Sequence, residues 1–280
     1  MLKQIFFTPG PSQLYPTVSQ HIQNATREQI GSISHRGKKF QMIFQEMKES
    51  LIDVLNIPPN YEIFLTSSAT EIWERIIQNL IINSSHHFVN GSFSQRFFNF
   101  TTAYKLKSTS QISNFNQEFN NFEVPNSAEL ISITQNETSI GYTFNPAKIK
   151  KIRENNPNKL IALDLVSAVP ATPVNLNLVD TAYFSVQKCF GLPAGMGIWI
   201  VGPKCFEVSK EKESKNEIVG SYHSLSELKR SGDKNQTPET PNILSLYLLK
   251  NVLNDMQFKG IKAIQNETKY KSALIYQVFD

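Results

Sequence analysis

Lys188 ends the apolar run "VDTAYFSVQ" (179–187) and precedes the glycine- and proline-rich turn "CFGLPAG" (189–195); Asp164 ends a second apolar run, "KLIALD" (159–164). A lysine that sheds its proton in a partly desolvated crevice is a Schiff-base nucleophile. A buried aspartate that stays ionised can hold a proton on a pyridine nitrogen. That pairing is what pyridoxal phosphate requires: the carboxylate keeps the ring an electron sink, and the lysine moves the proton. The remaining need is a phosphate cradle. "LTSSATEIW" (65–73) sets Ser67, Ser68, Ala69 and Thr70 where a strand gives way to a helix, so backbone N–H groups there meet the positive end of a helix dipole. Each signal alone has a plainer reading: a solvated lysine, a turn aspartate, an N-cap serine. Their weight comes from their order along one chain.

The elements that must position these residues follow from periodicity. "KKFQMIFQEMKESLIDVL" (38–55) brings Phe40, Ile43, Phe44, Met47, Leu51, Val54 and Leu55 to one helical face. "YEIFLTSS" (61–68) then predicts a strand and "ATEIWERIIQNLI" (69–81) a helix. The cycle repeats in "HHFVN" with "FSQRFFNFTTAY", and in "ELISITQNE" with "NPAKIKKIREN"; "NKLIALDLVS", "TAYFSVQ" and "MGIWIVG" add three buried strands. This rhythm predicts an α/β fold: a mostly parallel central sheet with helices on both faces and its ligand crevice at the carboxyl ends of the strands. Lys188 and Asp164 share that edge. The charge run "KEKESKNE" (210–217) reads as a solvated loop, His86 and His87 as strand-end residues without a metal-ligand partner, and Trp73 and Trp199 as core. A large domain is expected over 16–245. Residues 1–15 form an arm, and 246–280 begin a small, incomplete C-terminal domain.

Composition narrows the function class. The 280 residues are 40% hydrophobic and 19% charged, and the net charge of +4 is spread along the chain without the basic stripe of a nucleic-acid-binding protein. The N-terminus breaks at Pro9, Gly10 and Pro11, and no apolar run approaches bilayer length, so the expectation is a soluble cytoplasmic protein with no membrane contact. Cys189 and Cys205 are too far apart for a CxxC pair and are expected to be reduced thiols. A nicotinamide enzyme would need G-x-G-x-x-G opening a helix, yet "GMGIWI" runs into a strand; a serine hydrolase would need G-x-S-x-G, which does not occur.

Five stretches then carry a resemblance: "FTPGPSQLYP" (7–16), "SHRGKKF" (34–40), "QNETSIG" (135–141), "ALDLVS" (162–167) and "SVQKCFGLPAG" (185–195). Their order and spacing resemble class V aminotransferases, pyridoxal-phosphate enzymes of fold type I, and most of all the branch that acts on phosphoserine. The likeness runs from about residue 6 to about 245.

The resemblance implies that Lys188 is the covalent attachment point and that Asp164 pairs with the pyridine nitrogen. It implies that Phe93 stacks on the ring, where the family often has tryptophan, and that Thr138 bonds the phenolic oxygen. Ala69, Thr70 and Gln187 would hold the phosphate, joined by Gln236 and Thr237 from the neighbouring subunit, with Gln236 standing where asparagine is common. His35 and Arg36 would reach across a homodimer to the substrate phosphate. Their plainer reading is a turn cap and a surface ion pair. The partners implied are a second copy of the chain and small-molecule amino acids and 2-oxoacids, in the reaction of phosphoserine with 2-oxoglutarate that serves serine biosynthesis. Family members continue past residue 280 into a small domain that supplies an arginine for the substrate α-carboxylate, and no residue here takes that role. Two alternatives stay open: a class V transaminase acting on alanine, serine or glyoxylate, and a fragment that binds the cofactor without turnover.

Overall fold

The computed structural model describes residues 4–114 and 117–279. After α1 (Val18–Arg27), α2 (Lys38–Leu55) follows the predicted amphipathic stretch from end to end and buries all seven of its predicted apolar residues. The alternation follows as read in β1 (Glu62–Thr66), α3 (Ala69–Leu80), β2 (Ser85–Val89) and α4 (Ser92–Ala103), then adds an edge strand the periodicity did not mark, β3 (Thr109–Ile112), before the expected β4 (Leu130–Thr134). A small hairpin, β5 (Asn136–Glu137) and β6 (Tyr142–Thr143), leads into α5 (Pro146–Asn155), β7 (Leu160–Asp164), β8 (Thr181–Ser185) and β9 (Gly197–Val201). The chain closes with α6 (Pro203–Ser214), α7 (Leu225–Gly232), α8 (Ile243–Lys259) and α9 (Ile261–Phe279).

The main sheet has seven strands in the order β1-β9-β8-β7-β4-β2-β3, and only β9 runs against its neighbours. Period-two alternation sends successive side chains to opposite faces. Ile63, Leu65, Ile131, Ile161, Leu163 and Phe184 join a core with α1, α2 and α8; Phe64, Leu130, Leu160, Tyr183 and Trp199 join a second core with α3 and α7. Helices therefore cover both faces, as an α/β sheet buried on both sides requires.

Three expectations need correction. "KEKESKNE" is not a loop over most of its length: α6 runs through Ser214, and Lys212 is buried there, its ammonium donating to the Ile81 carbonyl. A long lysine stem can cover apolar surface while its head finds an acceptor, which a charge count does not register. His86 and His87 lie inside β2 and are buried, where desolvation lowers their pKa to about 4 and about 3. The boundary expected at residue 245 falls inside α8, and Leu246, Leu249, Val252, Leu253 and Met256 pack into the same core as α2.

Candidate active site

The carboxyl ends of β7 and β8 bring Asp164 and Lys188 to one cavity. Its lining also includes Ala69, Thr70, Phe93, Thr138 and Gln187, so every residue expected to hold the cofactor from within one chain meets there. Lys188 sits beneath the N-terminal arm, where its Nζ donates to the Pro9 carbonyl at 2.9 Å. Ser12 fastens the arm, donating from its backbone N–H to the Gln187 carbonyl at 2.8 Å and from its hydroxyl to the Lys188 carbonyl at 2.6 Å. Gly10 is required at this crossing: its φ is +156°, and a Cβ would lie 2.4 Å from Lys188 Cε. Burial lowers the Lys188 pKa, opposed by the nearby Cys189 and Asp164. A lysine in that state gives up its proton more readily.

Asp164 is 5% exposed and belongs to the strand itself. Burial pushes its carboxyl up to about 7, against the opposing hydrogen bonds from the Val166 N–H, at 2.9 Å, and the Tyr183 hydroxyl. The same Tyr183 hydroxyl accepts from Trp73 Nε1 at 2.8 Å, so Trp73 is core and also the end of a relay to the carboxylate. A cationic N–H donor in the cavity would restore the charge of Asp164.

The turn into α3 is built by its own serines. Ser68 is the N-cap and accepts from Glu71 N, while Ser67 gives both its N–H and its hydroxyl to Glu71 Oε2, at 2.9 and 2.6 Å. The N-cap reading is met by Ser68, which shapes the turn with Ser67, while Ala69 and Thr70 line the cavity. Ser185 adds a hydroxyl that accepts from Ala69 N at 2.8 Å. Gly197 of β9 lets the turn come close, since a Cβ there would stand 2.5 Å from the backbone carbon of Ser68.

Phe93 opens α4 and its ring lies 5.7 Å from Lys188 Nζ. Glu137 holds it there. Its buried carboxylate accepts from the Ser94 N–H and hydroxyl at 2.9 Å each and from the Ser139 hydroxyl at 2.6 Å. Thr138 donates to Ser167 Oγ at 2.8 Å, which donates in turn to the Asn136 carbonyl at 3.0 Å. Residue type and spacing give no role to Glu137, although it lies in the 135–141 stretch, nor to Ser167, Ser185 and Tyr183. Only the helix-terminus position of Glu137's partners, visible once α4 is placed, gives a signal for it.

His35, Arg36, Gln236 and Thr237 do not line this cavity. They form a cluster of their own: Arg36 donates to Gln236 Oε1 at 3.0 Å, the Thr237 carbonyl at 2.9 Å and the Pro238 carbonyl at 3.0 Å, and His35 Nδ1 lies 3.4 Å from Thr240 Oγ1. The surface ion pair is not formed among the described residues; three of the five guanidinium N–H donors go to the 236–238 segment instead. A second opening beside Lys188 is lined by the arm and by Lys259, Glu267 and Lys271. Among the described residues no arginine lines either opening, so the α-carboxylate partner stays unassigned.

The cavity fits pyridoxal phosphate on its own observations. Gln187 Oε1 and Asn136 Oδ1 are buried on its wall without a hydrogen-bond partner, Asp164 forms no ion pair among the described residues, and a helix N-terminus faces inward. The comparisons agree. The aminotransferase class-V family pattern matches residues 5–280. The fold superposes on the crystal structure of a phosphoserine aminotransferase from Cytophaga hutchinsonii with a TM-score of 0.97 and 43% identity, covering 99% of this chain and 77% of that one. A phosphoserine aminotransferase of Rhodococcus opacus is 28% identical over 97% of this chain and 72% of its own length. An alanine-glyoxylate aminotransferase from Nostoc shares the fold, with a TM-score of 0.82 at 18% identity over 99% of this chain and 75% of that one. A strand-end lysine and aspartate facing one phosphate-ready helix terminus, in a chain matched along nearly its whole length, place this protein in the class-V aminotransferases, the fold type I enzymes that work with pyridoxal phosphate.

Proposed function

We propose that this chain catalyses transamination between phosphoserine and 2-oxoglutarate, as a homodimer with each site completed by the neighbouring subunit. The observation that carries the reading is the separation of two residue sets. Lys188, Asp164, Phe93 and Thr138 share a cavity, while His35, Arg36, Gln236 and Thr237 form a basic and polar cluster outside it. A second copy would bring that cluster to the cavity, and its chemistry suits phosphate: a guanidinium with two uncommitted N–H donors beside an imidazole. The 43% identity to a phosphoserine aminotransferase supports the same substrate class.

Bound pyridoxal phosphate supplies the electron sink that makes the substrate α-proton removable. The chain's residues do the rest. Asp164 would hold positive charge at the ring nitrogen, Thr138 would turn its hydroxyl hydrogen from Ser167 to the phenolic oxygen, Phe93 would cover one ring face, and Ala69, Thr70 and Gln187 would grip the phosphate with Gln236 and Thr237 of a second copy. Lys188, desolvated beneath the arm, takes the proton at its Nζ and returns it. The arm and the Phe93 ring shield part of that amine from water.

Purified protein supplied with phosphoserine and 2-oxoglutarate should form glutamate. Arg36→Ala should lower kcat/KM for phosphoserine about ten- to a hundredfold, the loss of a charge-assisted contact, while sparing unphosphorylated serine and alanine. Equal losses on both substrate types, or a preference for alanine and glyoxylate, would remove phosphoserine and leave the broader transaminase.

A further inference from the structure

A buried charged cluster outside the cavity has no part in the mechanism above. His223, whose side chain is 3% exposed, lies between two carboxylates: its Nδ1 is 2.6 Å from Glu71 Oε1 and its Nε2 is 3.4 Å from Glu239 Oε2. Arg75 Nε stands 3.4 Å from the same Glu71 oxygen. None of these contacts has the N–H···O alignment of a good hydrogen bond: both ring nitrogens, Arg75 Nε, Glu71 Oε1 and Glu239 Oε2 are buried without an aligned partner. Attraction between opposite charges, and not aligned hydrogen bonds, therefore holds the cluster.

Its two ends lead to two different places. Glu71 holds Ser67 through its other oxygen, so it fixes the turn that presents Ala69 and Thr70 to this chain's own cavity. Glu239 belongs to the segment that carries Gln236 and Thr237, which Arg36 grips from the other side. We propose that His223 is a positioning residue: as a cation it clamps the 236–240 segment to the first turn of α3, fixing the phosphate turn of one site and the loop given to the neighbouring site as one unit. This rests on the dimeric reading above.

The groups facing the imidazole are Glu71 and Arg75 from α3, Glu239 from the loop, and the Tyr222 ring, its centroid 4.0 Å away; Asn79 donates to the His223 carbonyl. Burial pulls the His223 pKa down, but the two carboxylates outweigh it and raise it above 6.5. Burial likewise opposes ionisation of Glu71, yet His223 and Ser67 bring it down to about 2, so Glu71 is an anion throughout the working range. The sign follows: the clamp is present on the acid side and is lost as pH rises through the raised His223 value, leaving two carboxylates opposed by Arg75 alone.

The test is the rate at which the holoenzyme releases pyridoxal phosphate, followed by absorbance across pH 6–10 for the wild type, His223→Gln and Glu239→Gln. Thermal melting confirms that each variant folds. Wild-type release should quicken with rising pH. His223→Gln should release the cofactor roughly five- to tenfold faster at pH 6 and lose that pH step, and Glu239→Gln, a third exposed and cut only at the loop end, should change in the same direction. If both variants keep the wild-type rate at pH 6 and the wild-type pH step, the clamp is wrong. If His223→Gln does not fold, Glu239→Gln decides alone. Gln236→Ala with Thr237→Ala separates the two readings: no effect on release would overturn the phosphate role of the loop, whereas an effect there with unchanged His223 and Glu239 variants would overturn the clamp only.

Discussion

With its carboxyl pushed up to about 7 against an ordinary 3.8, Asp164 is a residue that folding without the cofactor does not satisfy. Between those two values the folded chain binds more protons at this site than the unfolded chain does. Stability contributed by this site therefore falls as pH rises from about 4 to about 7 and stays low above. Asp164→Asn, neutral at every pH, should melt higher than the wild type when both are cofactor-free at pH 8, and the two should converge near pH 4. With cofactor and substrates the order reverses, and the variant should lose most of its rate, because nothing then keeps the ring nitrogen protonated. A melting difference that does not depend on pH, or near-normal turnover, would show that Asp164 is not the group described. The same logic separates Asp164 from Glu137, whose buried carboxylate has the Ser94 and Ser139 donors in place and positions Phe93 without needing a ligand.

Among the elements, the turn between β1 and α3 depends on a residue from a strand more than a hundred positions later. Gly197 lies opposite Thr66 in the β1–β9 pairing, and a Cβ would meet Thr66 Oγ1 as well as the Ser68 backbone carbon at 2.5 Å. Backbone cannot yield as a side-chain tip can, so Gly197→Ala should displace the turn. The expected result is about 1–3 kcal/mol of lost stability from overpacking together with weaker cofactor binding, read from a melt and an absorbance titration. Unchanged cofactor affinity would show that the turn does not set the phosphate site. This long-range contact also marks the limit of what the sequence revealed. Regular elements were legible where one periodicity ruled, as in α2 with its seven apolar residues on one face and β7 with its buried run. Lys188, Asp164, Ala69 and Thr70 were legible because strand ends and a helix start place them locally, whereas Phe93, Thr138 and Gln187 followed only from the family resemblance. Ser185, Ser167 and Tyr183 were not, because each acts through a partner on another strand or turn, and α6 was hidden by charges that a helix carries as well as a loop does.

For the whole molecule, the described chain gathers Lys188 and Asp164 in one cavity and Arg36 with the 236–240 segment in a cluster outside it. Arg36 and the 236–240 segment are fastened to each other within the chain, so they would move as one surface onto a second copy, whose cavity already holds Lys188 and Asp164. The direct test is subunit complementation. Lys188→Ala, inactive, and Arg36→Ala, about ten- to a hundredfold weakened on phosphoserine, are mixed under conditions that exchange subunits, and glutamate formation from phosphoserine and 2-oxoglutarate is measured at low phosphoserine. Random pairing should leave one intact site in each mixed dimer, restoring about a quarter of wild-type activity. Activity in the mixture no greater than the sum of the two variants, with subunit exchange verified, would contradict a site shared between subunits.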